Sequence, residues 1–158
     1  MLNASFRDIA DAVLECDAEI HKYVGNEAIL TWTTSRALGD CLARPFIAID
    51  RISDHGDEYR ARYGAVPTFR AALHCGEIVA GEIGDVRREI AYVGDTLNVA
   101  ARLLDAAKVS GHNVLVSADV LERVALPADL RTEPLPALTV RGRVAPVAIS
   151  ALERVGDA

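Results

Sequence analysis

AYVGDTLNVAARLLDAA, residues 91–107, decides the reading of this chain. Its start continues a β-like run, Arg88–Val93, which Gly94 ends. Asp95 suits a helix N-cap, because its carboxylate accepts from first-turn N–H groups that lack helical partners. Leu97, Ala101 and Leu104 then recur at helical spacing, so a helix is predicted over 94–107 with those three on its core stripe. Asn98 and Arg102 are four apart on that helix and share one face.

Outward from this stretch the pattern alternates. Phe6, Ile9, Ala10, Val13 and Leu14 predict an amphipathic helix over 3–17. Asp8, Asp11, Glu15 and Asp17 are spaced as its wet side. Two β-rich runs, Glu19–Val24 and Ala28–Thr33, flank a Gly25-Asn26 turn, whose residues tolerate positive φ. Leu38, Leu42, Phe46, Ile49 and Ile52 predict one long helix over 36–63, kinked or divided near Pro45. Residues 67–84 read as a hairpin around Cys75-Gly76-Glu77, with Gly76, Gly81 and Gly84 in structural roles and His74 structural within an apolar strand. Asn113–Val116 reads as a strand, Ser117 as the cap of a short helix, and Leu138–Arg141 and Pro146–Leu152 as two last strands. The order is α-β-β-α-β-β-α-β-α-β-β, an α+β domain with a mixed sheet, helices on one face and no obvious linker.

The 158 residues are 51% hydrophobic and 25% charged, enough for one domain with a real core. A net charge of −6 argues against a nucleic-acid face or adhesion to an anionic membrane. Cys16, Cys41 and Cys75 have no paired spacing, which suits reduced thiols in the cytoplasm and not a zinc site. No apolar run is long enough to span a bilayer, and the N-terminus does not read as a signal peptide.

The chain resembles the catalytic domain of class III adenylate/guanylate cyclases. The motifs, in family order from about residue 2 to residue 152, are K22-Y-V-G25-N26, H74-C-G76 with G81-E-I-G84, Y92-V-G94-D95-T-L-N98-V-A-A-R102, V116-S117, and V140-R-G142 with P146-V. The resemblance implies one ferredoxin-like nucleotide cyclase domain over residues 1–158, with mixed and antiparallel strands. It implies head-to-tail homodimers or heterodimers with active sites at the interface. It also implies conversion of ATP, or a related nucleoside triphosphate, into a 3′,5′-cyclic monophosphate and pyrophosphate. The G-G-[DE]-E-F signature of diguanylate cyclases is absent.

Site residues follow from the same resemblance. Asn98 would hold the ribose, and Arg102 would stabilise charge growing on the α-phosphate. Lys22 would donate to purine N1, which an ammonium can do and a guanine N1–H cannot accept. The position that reads the purine amino group is Ala91, so base selection is incomplete or left to backbone. Arg143, or else Arg141, would hold the terminal phosphates. The family binds two Mg²⁺ or Mn²⁺ ions through two aspartates, because hard cations want anionic oxygen. Here Asn26 stands at one of those positions. The strand carrying the other aspartate precedes the first helix in the family, so the sheet is expected to lack its first central strand. The chain is therefore expected to hold no metals and to be inactive alone. The readings left open are a complementing half of a heterodimeric cyclase, a fragment, an engineered variant at position 26, and a non-catalytic dimerisation or nucleotide-sensing module. A sheet without a central strand leaves backbone groups unpaired, each costing about 1–3 kcal/mol if buried. Light scattering is expected to show self-association; a monodisperse, thermally robust monomer would contradict this.

Overall fold

The computed structural model describes residues 1–14, 18–32, 38–83 and 89–156. It divides into two compact units, Met1–Phe69 and Arg70–Ala158. Together they hold a mixed α+β set of elements, with parallel and antiparallel strand pairs. Among the described residues, no helix is long and apolar enough to cross a membrane.

In the first unit, α1 (Leu2–Leu14) buries Ser5, Ile9, Ala12 and Val13. The expected face included Leu14, which is exposed, so the buried stripe is rotated toward Ala12. The helix packs against α3 (Arg44–Asp54) and touches β1 (Glu19–Val24), where the Phe6 and Tyr23 rings lie 4.5 Å apart. Strand β1 pairs antiparallel with β2 (Glu27–Thr31) through the two-residue turn Gly25-Asn26. Gly25 sits at φ +61, a conformation glycine takes without a Cβ clash.

The long helix expected over 36–63 is three pieces: α2 (Leu38–Cys41), α3, and α4 (Gly56–Tyr63). Pro45 lies in the first turn of α3, where its missing N–H removes no helical bond, so it starts a helix and does not kink one. A second break falls at His55. Gly64, at φ 77, closes α4 with a left-handed cap. Ile9, Ala12, Val13, Ala18, Ala48, Ile52 and Tyr59 form this unit's core.

In the second unit, four strands run in the order β3 (Ala71–Leu73), β6 (Val114–Ser117), β8 (Val147–Arg154), β7 (Leu130–Leu138). The β3–β6 pair is parallel and the other two are antiparallel. The hairpin expected over 67–84 is not formed. Strand β4 (Val79–Ile83) pairs instead with β5 (Glu89–Val93) in a separate sheet. The penultimate strand also lies upstream of the expected 138–141, at 130–138. Pro134 and Pro136 hide it from a propensity reading, yet β7 is an edge strand, where a missing ladder N–H is tolerated. The two remaining helices are α5 (Asp95–Ser110) and the short α6 (Ala118–Leu121).

One polar cluster in the first unit couples fold to pH. The Tyr59 hydroxyl donates to Asp8 Oδ2 at 2.7 Å, and His55 Nδ1 lies 3.2 Å from the same oxygen. The hydrogen bond and charge of Asp8 raise the His55 pKa above the usual 6.5. The folded chain thus holds that proton more tightly than the unfolded chain. The resulting stabilisation is complete below about pH 6.5 and is lost as pH rises through the folded value. In thermal melts, the gap between the wild type and His55→Ala should be widest in mild acid and shrink toward alkaline pH; a gap that ignores pH contradicts the coupling.

Candidate functional site

Helix α5 is the platform of the candidate site. It buries Val99, Leu103 and Ala107, which pack with Leu115, Val140, Val147, Ile149 and Ala151. The stripe expected at Leu97, Ala101 and Leu104 is therefore displaced: Ala101 is exposed and the two leucines are half-buried. Val99 and Leu103 occupy the inward positions, and each fully buried side chain contributes about 1.5–3 kcal/mol. With that stripe facing in, Asn98 and Arg102 are both exposed. Asp95, Asn98 and Arg102 fall at i, i+3 and i+7, on one face of the helix.

Asp95 is the first residue of α5 and not its cap; Gly94 holds the cap position, without a side-chain capping bond. The Asp95 carboxylate instead meets Arg143, with Nε 3.0 Å from Oδ2. Arg143 lies in the turn before β8, and its backbone N–H donates to Val140 O at 3.1 Å. Asn98 and Arg102 thus share an exposed face of α5, and Asp95, on that same face at the helix start, carries the contact to Arg143. Arg102 also lies 3.7 Å from Asp105, a pair with both side chains mostly exposed. Such pairs stabilise by about 0–1 kcal/mol, so the guanidinium can exchange Asp105 for another anion at little cost.

A cleft of about 590 Å³ opens beside Asp95 and Arg143, and Asp119, Glu122, Gly142 and Pro146 help to line it. Behind Asp119 sits His74, whose side chain is 2% exposed. Its Nδ1 lies 2.8 Å from Ser117 Oγ and 3.7 Å from Asp119 Oδ2. Burial lowers the His74 pKa, outweighing the pull of Asp119. Ser117 stands at the N-cap of α6 but makes no capping bond; its hydroxyl is engaged with His74. Together they tie the end of β3 to the β6–α6 junction.

The β3–β4 connection also grips α5. Thr96 Oγ1 donates to Glu77 O at 2.7 Å. A Cβ added at Gly76 would fall 2.5 Å from Thr96 Oγ1, so glycine is required there by close approach and not by a hairpin turn. Pairwise spacing in the sequence carries no signal for the Asp95–Arg143, His74–Ser117 or Thr96–Glu77 contacts, since each joins residues distant in the chain.

Lys22 and Asn26 belong to the first unit. Lys22 is exposed on β1, opposite Ile29 in the ladder, and Asn26 is exposed in the β1–β2 turn. Ala91 lies on β5 opposite Gly81. Arg141 is exposed in the same turn as Arg143. Asn26 offers a neutral amide, a poorer ligand for a divalent cation than a carboxylate, and among the described residues no group of three or more His, Cys, Asp or Glu is placed to hold a metal ion. Gly84 and Arg88 lie outside the described residues.

No protein-family model matches the chain. Adenylate cyclase 2 of Rhizobium meliloti (strain 1021) is 39% identical over 153 residues, covering 96% of this chain and 42% of that protein. The chain thus spans less than half the length of this curated relative. Among solved structures, the adenylyl cyclase CyaB from P. aeruginosa superposes with a TM-score of 0.77 at 17% identity, covering 98% of this chain and 81% of that one. The guanylyl cyclase Cya2 gives a TM-score of 0.70 at 20% identity, covering 99% and 80%. At these identities the structural likeness is one of fold.

The contact between Gly76 and Thr96 can be tested directly. Gly76→Ala should destabilise the chain by about 1–3 kcal/mol through overpacking. In a Thr96→Ala background the same change should cost much less, because the clashing oxygen is gone. Equal penalties in the two backgrounds, measured by denaturant unfolding, would contradict the contact.

Proposed function

Because this chain belongs to the class III adenylate/guanylate cyclase family, we propose that residues 1–158 act as one cyclase catalytic domain that contributes half of a composite active site. The substrate is ATP and the products are cyclic AMP and pyrophosphate. The observation that carries this reading is the outward face of α5, where Asn98 and Arg102 stand exposed with Arg143 tethered at its first residue.

Each group has a task its chemistry suits. Asn98 offers both a donor and an acceptor to the ribose hydroxyls. The 3′-oxygen attacks the α-phosphorus in line while the bond to the pyrophosphate oxygen breaks. Negative charge grows on the non-bridging oxygens of the α-phosphate, and the Arg102 guanidinium stabilises it with a fixed fork of N–H donors. Arg143 binds the terminal phosphates of the leaving pyrophosphate. Lys22 donates to purine N1 and favours adenine. An exposed amide at Asn26 is a poor divalent-cation ligand, so the anionic oxygens for the metals come from a partner cyclase subunit. That places the working site at a dimer interface, with the chain acting in the cytoplasm where ATP is held. Cys41 and Cys75 are not joined in a disulfide, which agrees with that compartment.

Two assays test the reading. The purified chain with ATP and Mn²⁺ or Mg²⁺ should form negligible cyclic AMP; robust turnover by the chain alone contradicts the missing-donor reading. Mixed with a cyclase domain that carries both metal aspartates, the chain should restore activity. Arg102→Ala should lower the restored rate by about 10²–10³-fold, as expected for loss of a transition-state donor. Unchanged activity with Arg102→Ala removes the complementing role, and no ATP binding even at high concentration points to an interaction module.

A further inference from the structure

We propose that Asp95 sets the polyphosphate affinity of this site by occupying Arg143 until a phosphate displaces it. The proposal rests on the assignment of Arg143 to the terminal phosphates. Asp95 Oδ2 lies 3.0 Å from Arg143 Nε, so the guanidinium edge that would meet a phosphate already faces a carboxylate.

The two partners are held by different devices. Asp95 sits in the first turn of a 16-residue helix, where the helix N-terminus favours a negative charge whether or not Arg143 is present. Arg143 is held by its turn, through the backbone bond to Val140. Losing the pair therefore disorders neither element. The side chains are 36% and 46% exposed, a setting in which ion pairs are weak and exchangeable.

The cleft reinforces the effect. Asp95, Asp119 and Glu122 line it together with Arg143, so an incoming polyphosphate meets carboxylates until Asp95 releases its partner. A triphosphate carries more charge than a carboxylate and can bind the guanidinium through two oxygens, so it wins the exchange. The internal pair thus discriminates against weakly charged anions while costing a triphosphate only part of its affinity.

Calorimetric titration of the full chain with ATP and with inorganic triphosphate, at fixed low salt, tests this. Asp95→Asn keeps the side-chain shape and should tighten both ligands by about two- to fivefold, the scale of an exposed pair. Glu122→Gln removes an equal charge from the same cleft without touching the pair and should change affinity less. In an Arg143→Ala background the gain from Asp95→Asn should largely vanish. If Arg143→Ala weakens binding but Asp95→Asn leaves it unchanged, the Asp95 inference is overturned while the phosphate assignment stands. If Arg143→Ala has no effect on either ligand, the assignment itself falls. The Nε–H resonance of Arg143 in the unaltered protein gives a readout independent of variant folding: it should shift as triphosphate is added, and a fixed resonance at saturation overturns the exchange.

Discussion

The packing of α5 onto the four-stranded sheet governs what the rest of the second unit can do. Val99, Leu103 and Ala107 are inaccessible to water and lie against Leu115, Ile149 and Ala151. A helix has one rotation about its axis that buries those three positions. That rotation leaves Asp95, Asn98 and Arg102 on the wet side. The exposed polar face proposed as functional is therefore a consequence of the core, and a change that rolled α5 would move every polar group on it at once. The Thr96–Glu77 bond and the Gly76 approach pin the helix start against sliding along its axis.

Around that platform the charges are arranged as pairs between exposed partners. Arg102 faces Asp105 and Arg143 faces Asp95. Each guanidinium is paired with a partly exposed carboxylate of its own unit, which limits its wandering without burying it. The role proposed for Arg102, stabilising charge in the transition state, needs preorganisation more than tight binding in the resting state. Cation binding has a different requirement, anionic oxygens converging on a point, and Asn26 in its exposed turn does not meet it. The proposed division of labour between two subunits follows from that contrast.

The sequence made much of this legible, for reasons that differ by element. The β1–Gly25-Asn26–β2 unit was readable because a two-residue turn is fixed by local chemistry. The helix from Asp95 was readable from its period, but the inward stripe was not, because Leu97, Val99, Ala101, Leu103 and Leu104 offer two overlapping apolar stripes and only the sheet selects one. Pro45 marked a helix boundary that reads equally as a kink, and a proline in the first turn cannot be told from one in the interior without its neighbours. The edge strand carrying Pro134 and Pro136 was missed because tolerance of proline depends on strand order, a tertiary property. The pairing of β4 with β5 in place of β3 is tertiary in the same sense. Of the candidate site, Asn98, Arg102 and Arg143 were named from motif, whereas the Asp95 link that joins two of their elements had no local signature.

In the division of labour proposed above, this polypeptide brings base, ribose and transition-state groups and leaves the cations to another subunit. A crystal structure of the chain with a metal-bearing cyclase partner, a non-cleavable ATP analogue and Mn²⁺ tests it most directly. Asn98 is expected at the ribose, Arg102 at the α-phosphate and Arg143 at the terminal phosphates, with both ions held by carboxylates of the partner. Two well-ordered ions gripped by side chains of this chain alone would contradict it.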